Sequence, residues 1–105
     1  MGDTTTGGGT RGTPCFSLGQ CYPNPFNPAT TIRFTLGEAV RVRLRIYDVS
    51  GRFVRELTDG RRGAGQHSET WDGMDQAGRG VSSGVYFYRL EAGSFIETKK
   101  MVLAR

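Results

Sequence analysis

The chain has 105 residues, of which 36% are hydrophobic and 23% charged, and this length suits one small domain with a single core. One histidine and two cysteines cannot supply the four ligands of the common zinc sites, so we expect neither a metal centre nor a cofactor. The excess of 14 basic over 10 acidic residues gives a net charge of +4, which suits a polyanionic partner but is equally explained by solubility.

The first 14 residues differ in composition from the rest of the chain. They contain five glycines, five threonines and no apolar side chain beyond Met1, so they cannot bury enough surface to offset the entropy of ordering. We predict that residues 1–14 are a flexible linker from an upstream domain or a leader segment. No apolar run in the chain approaches the roughly 18 residues that cross a bilayer, so we expect no membrane span and no export signal at this end.

A period-two alternation of side chains begins at Thr30 and predicts a series of short strands. Hydrophobic and polar residues alternate over residues 30–36 and again, after a turn, over residues 40–47. This pattern predicts two antiparallel neighbouring strands. Further strands are predicted at residues 53–57, where Asp59 and Gly60 end the strand, and at 66–71, 85–90 and 95–103.

The spacing of these elements indicates the fold class. Six or seven strands follow one another with turns at intervals of about 8 to 12 residues, and no segment shows helical spacing over three turns. We therefore predict an all-β protein, an immunoglobulin-like antiparallel sandwich of about seven strands. Glu69 stands on the apolar face of the fourth strand, so we expect this strand to be an exposed edge or the carboxylate to meet an arginine.

No arrangement of side chains for catalysis is visible. The single histidine, His67, is adjacent to Ser68, and neighbouring residues on a strand point to opposite faces, so the two cannot meet as base and nucleophile. We therefore predict a structural histidine in a domain that is not an enzyme.

Two aspartates in a glycine-bearing loop are a candidate for calcium binding. Asp72 and Asp75 lie three residues apart, and Asp48 or Asp59 could complete a site with backbone carbonyls. Turns in which each aspartate accepts hydrogen bonds from its own backbone explain the same residues, and we favour this interpretation.

Four arginines form a candidate surface for a polyanion. Arg41, Arg43 and Arg45 project from one face of a predicted strand, and Arg33 could join them from the neighbouring strand. The stripe could meet phosphate or sulfate groups, including those of a polysaccharide, or it could be a solvated sheet face. Because no aromatic stacking platform is interleaved there apart from Tyr47, we expect no nucleic-acid partner.

The two cysteines flank a segment just before the first long strand. Cys15 and Cys21 have five residues between them, and one disulfide could close this short loop. We predict this bridge, which would imply an oxidising compartment. Two free thiols are the alternative.

Residues 22–28 read Tyr-Pro-Asn-Pro-Phe-Asn-Pro. Each proline fixes its own φ and the asparagines can form Asx-turns, so the segment is rigid before anything packs on it. We expect Tyr22 and Phe26 to be the anchors of a clamp that leads into the first strand. A docking peptide is the alternative, since Pro25 and Pro28 have a PxxP spacing.

Five segments of the chain form an ordered series. They are residues 22–34, beginning Tyr-Pro-Asn-Pro-Phe-Asn-Pro, then Ile46-Tyr-Asp-Val-Ser-Gly-Arg, Trp71-Asp-Gly, Ser83-Gly-Val-Tyr-Phe-Tyr-Arg-Leu and Lys99-Lys-Met-Val-Leu. In this order they resemble the C-terminal sorting domain of the type IX secretion system, over residues 16–105. The third and fourth segments also resemble the Ig-like domain of flagellar hook-capping proteins, whereas the first and last favour the sorting domain.

This resemblance implies a non-catalytic secretion signal. In the family, the domain directs an upstream cargo protein through the outer-membrane translocon, so that the cargo is secreted or attached to the cell surface by way of the periplasm. The implied partners are the secretion machinery with its sorting peptidase, a cargo domain in the same chain and an anionic surface lipopolysaccharide. From this resemblance we expect the secretion machinery to recognise two motifs, which comprise Gly84, Val85, Tyr86, Lys99, Lys100, Met101, Val102 and Leu103.

The alternative function is a structural or carbohydrate-binding Ig-like module of a secreted multidomain protein. Tyr86, Tyr88 or Trp71 would then form a stacking platform for sugar rings. The direction of these side chains distinguishes the two functions, because a platform requires rings that face the solvent. We expect Trp71 to point into the core.

Overall fold

The protein folds into two packed antiparallel sheets. The computed structural model describes residues 15–105, so the predicted linker at residues 1–14 lies outside the described residues. The described part contains seven strands: β1 Ser17–Leu18, β2 Thr30–Leu36, β3 Val40–Asp48, β4 Phe53–Arg62, β5 Gly65–Trp71, β6 Gly84–Ala92 and β7 Phe95–Leu103. One sheet has the strand order β1-β2-β5 and the other the order β4-β3-β6-β7. The predicted all-β antiparallel sandwich is therefore confirmed.

The core lies between the two sheets and is formed by alternate residues of the strands. Alternate side chains of β2 and β3 are buried, and the apolar ones are Ile32, Phe34 and Leu36 in β2 and Val42, Leu44 and Ile46 in β3. Trp71 is fully buried at the end of β5, and its ring centroid is 5.6 Å from that of Phe26 and 5.3 Å from that of Tyr86. Within residues 15–105 no helix is long and apolar enough to cross a bilayer.

The pairing of the first two long strands differs from the prediction. β2 pairs with β1 and β5, whereas β3 pairs with β4 and β6, so the two predicted neighbours belong to different sheets. The turn at residues 37–39 crosses from one sheet to the other. Alternation identifies which face of a strand is buried, but both arrangements bury the same side chains, so the pattern could not identify the partner strand.

The third long strand extends further than predicted. β4 continues through Asp59 and Gly60 to Arg62, because its pairing with β3 runs on to the pair Arg62 and Val40. The predicted stop at residues 59–60 was wrong. A glycine or an aspartate weakens a strand only modestly, and the hydrogen-bonded pairing with β3 overrides that local preference.

Both predictions for Glu69 are confirmed. β5 is an edge strand, since it pairs only with β2 within its sheet. The carboxylate of Glu69 also meets Arg62, whose Nη2 lies 2.7 Å from Oε2. The half-buried acid on an apolar face is therefore compensated by an ion pair across the loop that joins β4 to β5.

A buried tyrosine ties the two sheets together. The hydroxyl of Tyr88 donates a hydrogen bond to the carbonyl of Gly19 and accepts one from the backbone N–H of Cys21, both at 2.9 Å. The segment that leads out of β1 is thereby fixed to the centre of β6. Burial raises the pKa of Tyr88 to about 12.

This buried hydroxyl predicts a loss of stability in alkali. The unfolded tyrosine ionises near pH 10, while the folded one keeps its proton to about pH 12, so the free energy of unfolding should fall between these values by about 1.4 kcal/mol per pH unit. Tyr88→Phe should remove that part of the slope and lower stability at neutral pH by about 1 to 3 kcal/mol, because the Cys21 N–H loses its acceptor. Urea unfolding at pH 8, 10 and 11.5 measures both effects. Tyr22→Phe, at an exposed position, is the matched control, and an equal slope in Tyr88→Phe and wild type would contradict the prediction.

Candidate functional site

The two predicted recognition motifs lie directly opposite each other. The β6–β7 hairpin pairs Gly84 with Leu103, Val85 with Val102 and Tyr86 with Met101. We call these six residues, with Lys99 and Lys100, the paired motifs. Segments that are well separated in sequence thus form one short stretch at an end of the larger sheet.

Only some of the paired-motif residues can be reached from the solvent. Three of them, Tyr86, Met101 and Leu103, are buried core residues, so a partner could not contact their side chains in the folded domain. Lys99 lies on the same side of the strand, at the rim, where its Nζ is 3.5 Å from Oε2 of Glu97.

The outward side of the paired motifs has a different character. Lys100 is exposed and Val85 and Val102 are partly exposed, and all three lie on the solvent face of the larger sheet because side chains alternate along β6 and β7. The resemblance assigns the motifs as a whole and does not distinguish these outward residues from the core residues between them. The alternation of side chains along a strand makes this distinction once the core face is known.

The proline-rich segment covers the edge of the last strand. The N–H of Phe26 donates to the carbonyl of Val102 at 3.0 Å, and the N–H of Ala104 donates to the carbonyl of Phe26 at 2.9 Å. The N–H of Val102 also donates to Oδ1 of Asn24 at 2.9 Å. These contacts join the first and the last segments of the series described above.

One of the two predicted anchors of this segment is correct. Phe26 is only 2% exposed, whereas Tyr22 is 74% exposed. The backbone of Tyr22 nevertheless exchanges two hydrogen bonds with Thr31, at 3.0 and 2.9 Å. The segment is therefore a clamp, as predicted, but its aromatic anchor is Phe26 alone, and it holds the last strand as well as the entry to β2.

Arg105 is bound by the Trp-Asp-Gly segment and by the loop that follows it. Its Nη2 donates to the carbonyl of Gly73 at 2.7 Å and its Nε to the carbonyl of Val81 at 2.8 Å. Its backbone N–H donates to Oγ of Ser83 at 3.0 Å. The end of β7 is thus held from two sides, by the clamp and by this loop.

The backbone at Gly73 predicts a sensitive position beside this contact. Gly73 has φ of 76°, and a Cβ there would lie 3.1 Å from the carbonyl oxygen of Pro28 and 2.9 Å from Nη2 of Arg105. We expect Gly73→Ala to lower the free energy of unfolding by about 1 to 3 kcal/mol. Gly63→Ala, where a Cβ meets nothing within 4 Å, should change it by less than about 1 kcal/mol. Chemical denaturation of both variants checks the prediction, which would be wrong if the two alanines cost the same.

The predicted arginine stripe is partly assembled. Arg41, Arg43 and Arg45 share the outer face of β3, but each has a carboxylate nearby. Nη2 of Arg41 is 2.9 Å and Nε of Arg43 is 3.7 Å from Oδ1 of Asp59, and Nε of Arg45 is 2.8 Å from Oε2 of Glu56. The Arg41 guanidinium lowers the pKa of Asp59. The stripe is therefore largely neutralised by its own sheet.

Arg33 does not join this stripe. It lies on β2, in the smaller sheet, where it is exposed on the opposite side of the sandwich. The expectation that it neighbours the other arginines was wrong because β2 and β3 are not hydrogen-bonded partners. Whether any of the four arginines contacts a polyanion stays a prediction.

The aromatic residues proposed as a sugar platform are core residues. Trp71, Tyr86 and Tyr88 are all buried, and the Trp71 Nε1 donates to the carbonyl of Met74 at 2.8 Å. The alternation of β6 turns both tyrosines toward the other sheet. This finding removes the stacking platform on which the carbohydrate-binding alternative depended.

A different set of aromatic side chains faces the solvent. Tyr47 of β3 lies between Phe53 of β4 and Phe87 of β6 in the strand register, and Phe87 is opposite Lys100 of β7. This row was not predicted as a site. The alternation of side chains along a strand could have indicated this row, because Phe87 lies between two inward-facing tyrosines and must therefore point outward.

The predicted disulfide is not present. Cys15 and Cys21 are both free, the first exposed and the second buried. Residues 17–22 run antiparallel to β2, with Ser17 opposite Thr35 and Tyr22 opposite Thr31. An extended chain of this length spans up to about 20 Å, whereas a disulfide requires Cα atoms within about 7 Å.

The aspartates of the loop between β5 and β6 accept bonds from their own backbone. Oδ1 of Asp72 accepts from the N–H of Met74 at 3.1 Å, and Oδ1 of Asp75 accepts from the N–H groups of Ala77 and Arg79 at 3.0 and 2.9 Å. The turn interpretation is confirmed. Among residues 15–105, no three His, Cys, Asp or Glu side chains are grouped so that they could hold a metal ion.

His67 and Ser68 lie on opposite faces of β5, as predicted. The ring of His67 stacks on Phe34 with centroids 5.4 Å apart, and its Nε2 lies 2.8 Å from the carbonyl of Gly63. Ser68 is exposed on the other side. The histidine ring is therefore held in place by its stacking on Phe34 and by the contact of Nε2 with a backbone carbonyl.

A known protein family and solved structures are similar to this chain. The model of the FlgD Ig-like domain matches residues 27–94. No curated protein matches the chain significantly. Dimeric latent PorU from Porphyromonas gingivalis has a TM-score of 0.70 and 22% identity, over 90% of this chain and 10% of that chain.

A second solved structure has the same fold in part of its chain. PorZ, described as an essential bacterial surface component of the type IX secretion system of Porphyromonas gingivalis, has a TM-score of 0.55 and 22% identity, over 82% of this chain and 11% of that chain. The chain thus spans about a tenth of the length of either structure. Together with the family match, these likenesses confirm the predicted immunoglobulin-like sandwich.

Proposed function

We propose, starting from the fact that the chain belongs to the FlgD Ig-like domain family, that it serves as a C-terminal sorting and surface-attachment domain of the type IX secretion system. It is not an enzyme in this role. It directs an upstream cargo domain of the same chain across the outer membrane, by way of the periplasm, so that the cargo is secreted or held at the cell surface. The likeness to PorZ, itself a component of such a system, supports this proposal.

One observation carries the proposal. The segments that resemble a sorting domain meet at one end of the sandwich, where Phe26 of the clamp bonds the backbone at Val102 and Val85 is paired with Val102. Arg105 then binds the carbonyl of Gly73, in the Trp-Asp-Gly segment. These segments supply core residues such as Phe26 and Trp71, and their outward residues lie together on one surface.

The secretion machinery reads this surface at its outward residues, Val85, Lys100 and Val102. The implied partners remain the translocon, its sorting peptidase and an anionic surface lipopolysaccharide, to which a cationic residue such as Lys100 is complementary.

Strand addition to β7 is possible over part of its length only. β7 is the last strand of its sheet, so its outer edge is available for pairing with another chain. However, the clamp occupies the N–H and the carbonyl of Val102, and Nε2 of Gln20 donates to the carbonyl of Lys100 at 3.1 Å. A recognition strand would therefore pair near Ile96 and Thr98, unless it displaces the clamp.

Export of a reporter tests the proposal. A fluorescent protein with an inner-membrane export signal is fused upstream of residues 15–105 and expressed in a bacterium with a type IX system, beside the same reporter without the domain. We expect the fusion alone to reach the medium or the cell surface, and to stay in the periplasm when the translocon gene is deleted. Periplasmic retention of the folded fusion in a host that exports its own cargo would refute the proposed function.

A further inference from the structure

The outer face of the larger sheet is divided into two unlike halves. One half carries the ion-paired arginines of β3. The other carries Tyr47, Val49, Phe53, Val85, Phe87 and Val102, which we call the aromatic patch. Phe53 is 50% exposed and Val49 is 75% exposed. Exposed apolar side chains that lie together on one face of a small domain mark an interaction surface.

The aromatic patch has a cleft and a border of cations. A cleft of about 290 Å³ lies between Val49 in the β3–β4 turn and Phe87, with Asp48, Arg89 and Thr98 at its wall. The guanidinium carbon of Arg45 lies 5.9 Å from the ring centroid of Phe53. The exposed Lys100 flanks Phe87, and none of the ion pairs among residues 15–105 includes it.

The hydrogen-bonding capacity of the Arg89 side chain is not fully satisfied within the described residues. Its Nε lies 3.2 Å from Oε2 of Glu91, yet this buried nitrogen has no acceptor with hydrogen-bond geometry in the described part of the chain. Although this nitrogen is itself buried, the Arg89 side chain is 41% exposed, so its charge can also attract a carboxylate supplied from outside.

We propose that the aromatic patch is the docking site for a protein of the secretion machinery that presents apolar side chains bordered by carboxylates. The proposal rests on the proposed function and adds to it the chemistry of the partner. An apolar side chain of the partner enters the cleft between Val49 and Phe87. Carboxylates of the partner then lie beside Lys100 and Arg89.

Two other occupants are disfavoured by observations on this chain. A second copy would place the exposed Lys100 of each molecule against the patch of the other, where Glu56 and Glu91 are already paired with Arg45 and Arg89, so that neither glutamate is free to pair with Lys100. The sequence of residues 1–14 offers no large apolar side chain beyond Met1 as a match for an apolar patch. The paired motifs, which share Val85, Lys100 and Val102 with this face, favour the machinery that reads them.

The first test compares matched variants in the reporter fusion. Phe87→Ser removes the central ring of the patch, while Phe16→Ser makes the same change at a partly buried ring that stacks on Phe95, away from this face. We expect Phe87→Ser to reduce export about tenfold and Phe16→Ser to leave it unchanged. Thermal unfolding of the purified fusions establishes that both variants are folded.

The second test identifies the occupant and does not depend on the stability of a serine variant. The photo-reactive analogue p-benzoylphenylalanine replaces Phe53 in one fusion and Ser68, on the smaller sheet, in another. In secreting cells we expect an adduct from position 53 and none from position 68, with the cross-linked partner peptide belonging to a secretion component and containing aspartate or glutamate.

Two results would overturn this inference while leaving the proposed function intact. One is wild-type export of a folded Phe87→Ser fusion. The other is an adduct from position 53 that joins two copies of the fusion. A wild-type fusion that is not exported at all would instead refute the proposed function, so the two failures are distinguishable.

Discussion

We expect Phe26→Ala to lower the free energy of unfolding by about 3 to 5 kcal/mol. The Phe26 ring is 2% exposed and lies 5.6 Å, centroid to centroid, from the fully buried Trp71, so its removal leaves a cavity that the rigid proline segment cannot close. A domain of this size has a total stability of about 5 to 15 kcal/mol. The substitution therefore removes a large part of it, and urea unfolding measures the loss.

Tyr22→Ala is the matched control for this prediction. It removes an aromatic ring from the same segment, but at a position that is 74% exposed, and we expect a change below about 1 kcal/mol. Because residues 22–28 contain both rings, the sequence of this segment alone predicts similar losses of stability for the two substitutions. Equal destabilisation by the two alanines would contradict the assignment of Phe26 as the anchor.

Removal of residues 99–105 should abolish cooperative folding. The truncation deletes Met101 and Leu103, which are both buried, and deletions of such side chains cost about 2 to 5 kcal/mol each. It also removes the carbonyl of Val102, to which Phe26 is bonded, and the three hydrogen bonds of Arg105. We expect neither a cooperative urea transition nor dispersed amide signals in the NMR spectrum.

The double variant Lys99→Ala and Lys100→Ala is the control for the truncation. It removes both charges of the terminal motif while keeping the core side chains, and we expect it to unfold cooperatively with a stability within about 1 kcal/mol of wild type. A truncated domain that still unfolds cooperatively would contradict the structural role assigned to the last strand. If the truncated domain is unfolded, as we expect, its failure to be exported would reveal nothing about recognition.

Much of the fold was predictable from the alternation of side chains. The strands β2, β3, β5 and β7 have the predicted bounds to within about two residues, because each buries one face and exposes the other and therefore carries a period-two pattern. The same alternation identified the core faces. It predicted that Trp71 points inward, and within one motif it assigns Tyr86 to the core face and Phe87 to the solvent face.

The features that depend on contacts between distant segments were not predictable. Nothing in the sequence around Ile32 or Val42 indicates that their strands lie in different sheets. Because β2 and β3 were expected to pair, Arg33 was expected to lie beside the arginines of β3. The burial of Phe26 and the exposure of Tyr22 likewise depend on β7, which lies at the other end of the chain. Resemblance grouped the motifs correctly but could not separate the residues that fill the core from those that face a partner.

The export of two charge-reversed fusions would test whether the outward face of the paired motifs carries the sorting signal. Lys100→Glu reverses an exposed charge on that face, and Arg33→Glu reverses an exposed charge on the smaller sheet, so both domains should remain folded with the same net charge. We predict that Lys100→Glu reduces export of the reporter about tenfold, whereas Arg33→Glu is exported like wild type. Equal export of the two folded variants, or a loss confined to Arg33→Glu, would contradict the assignment of that face.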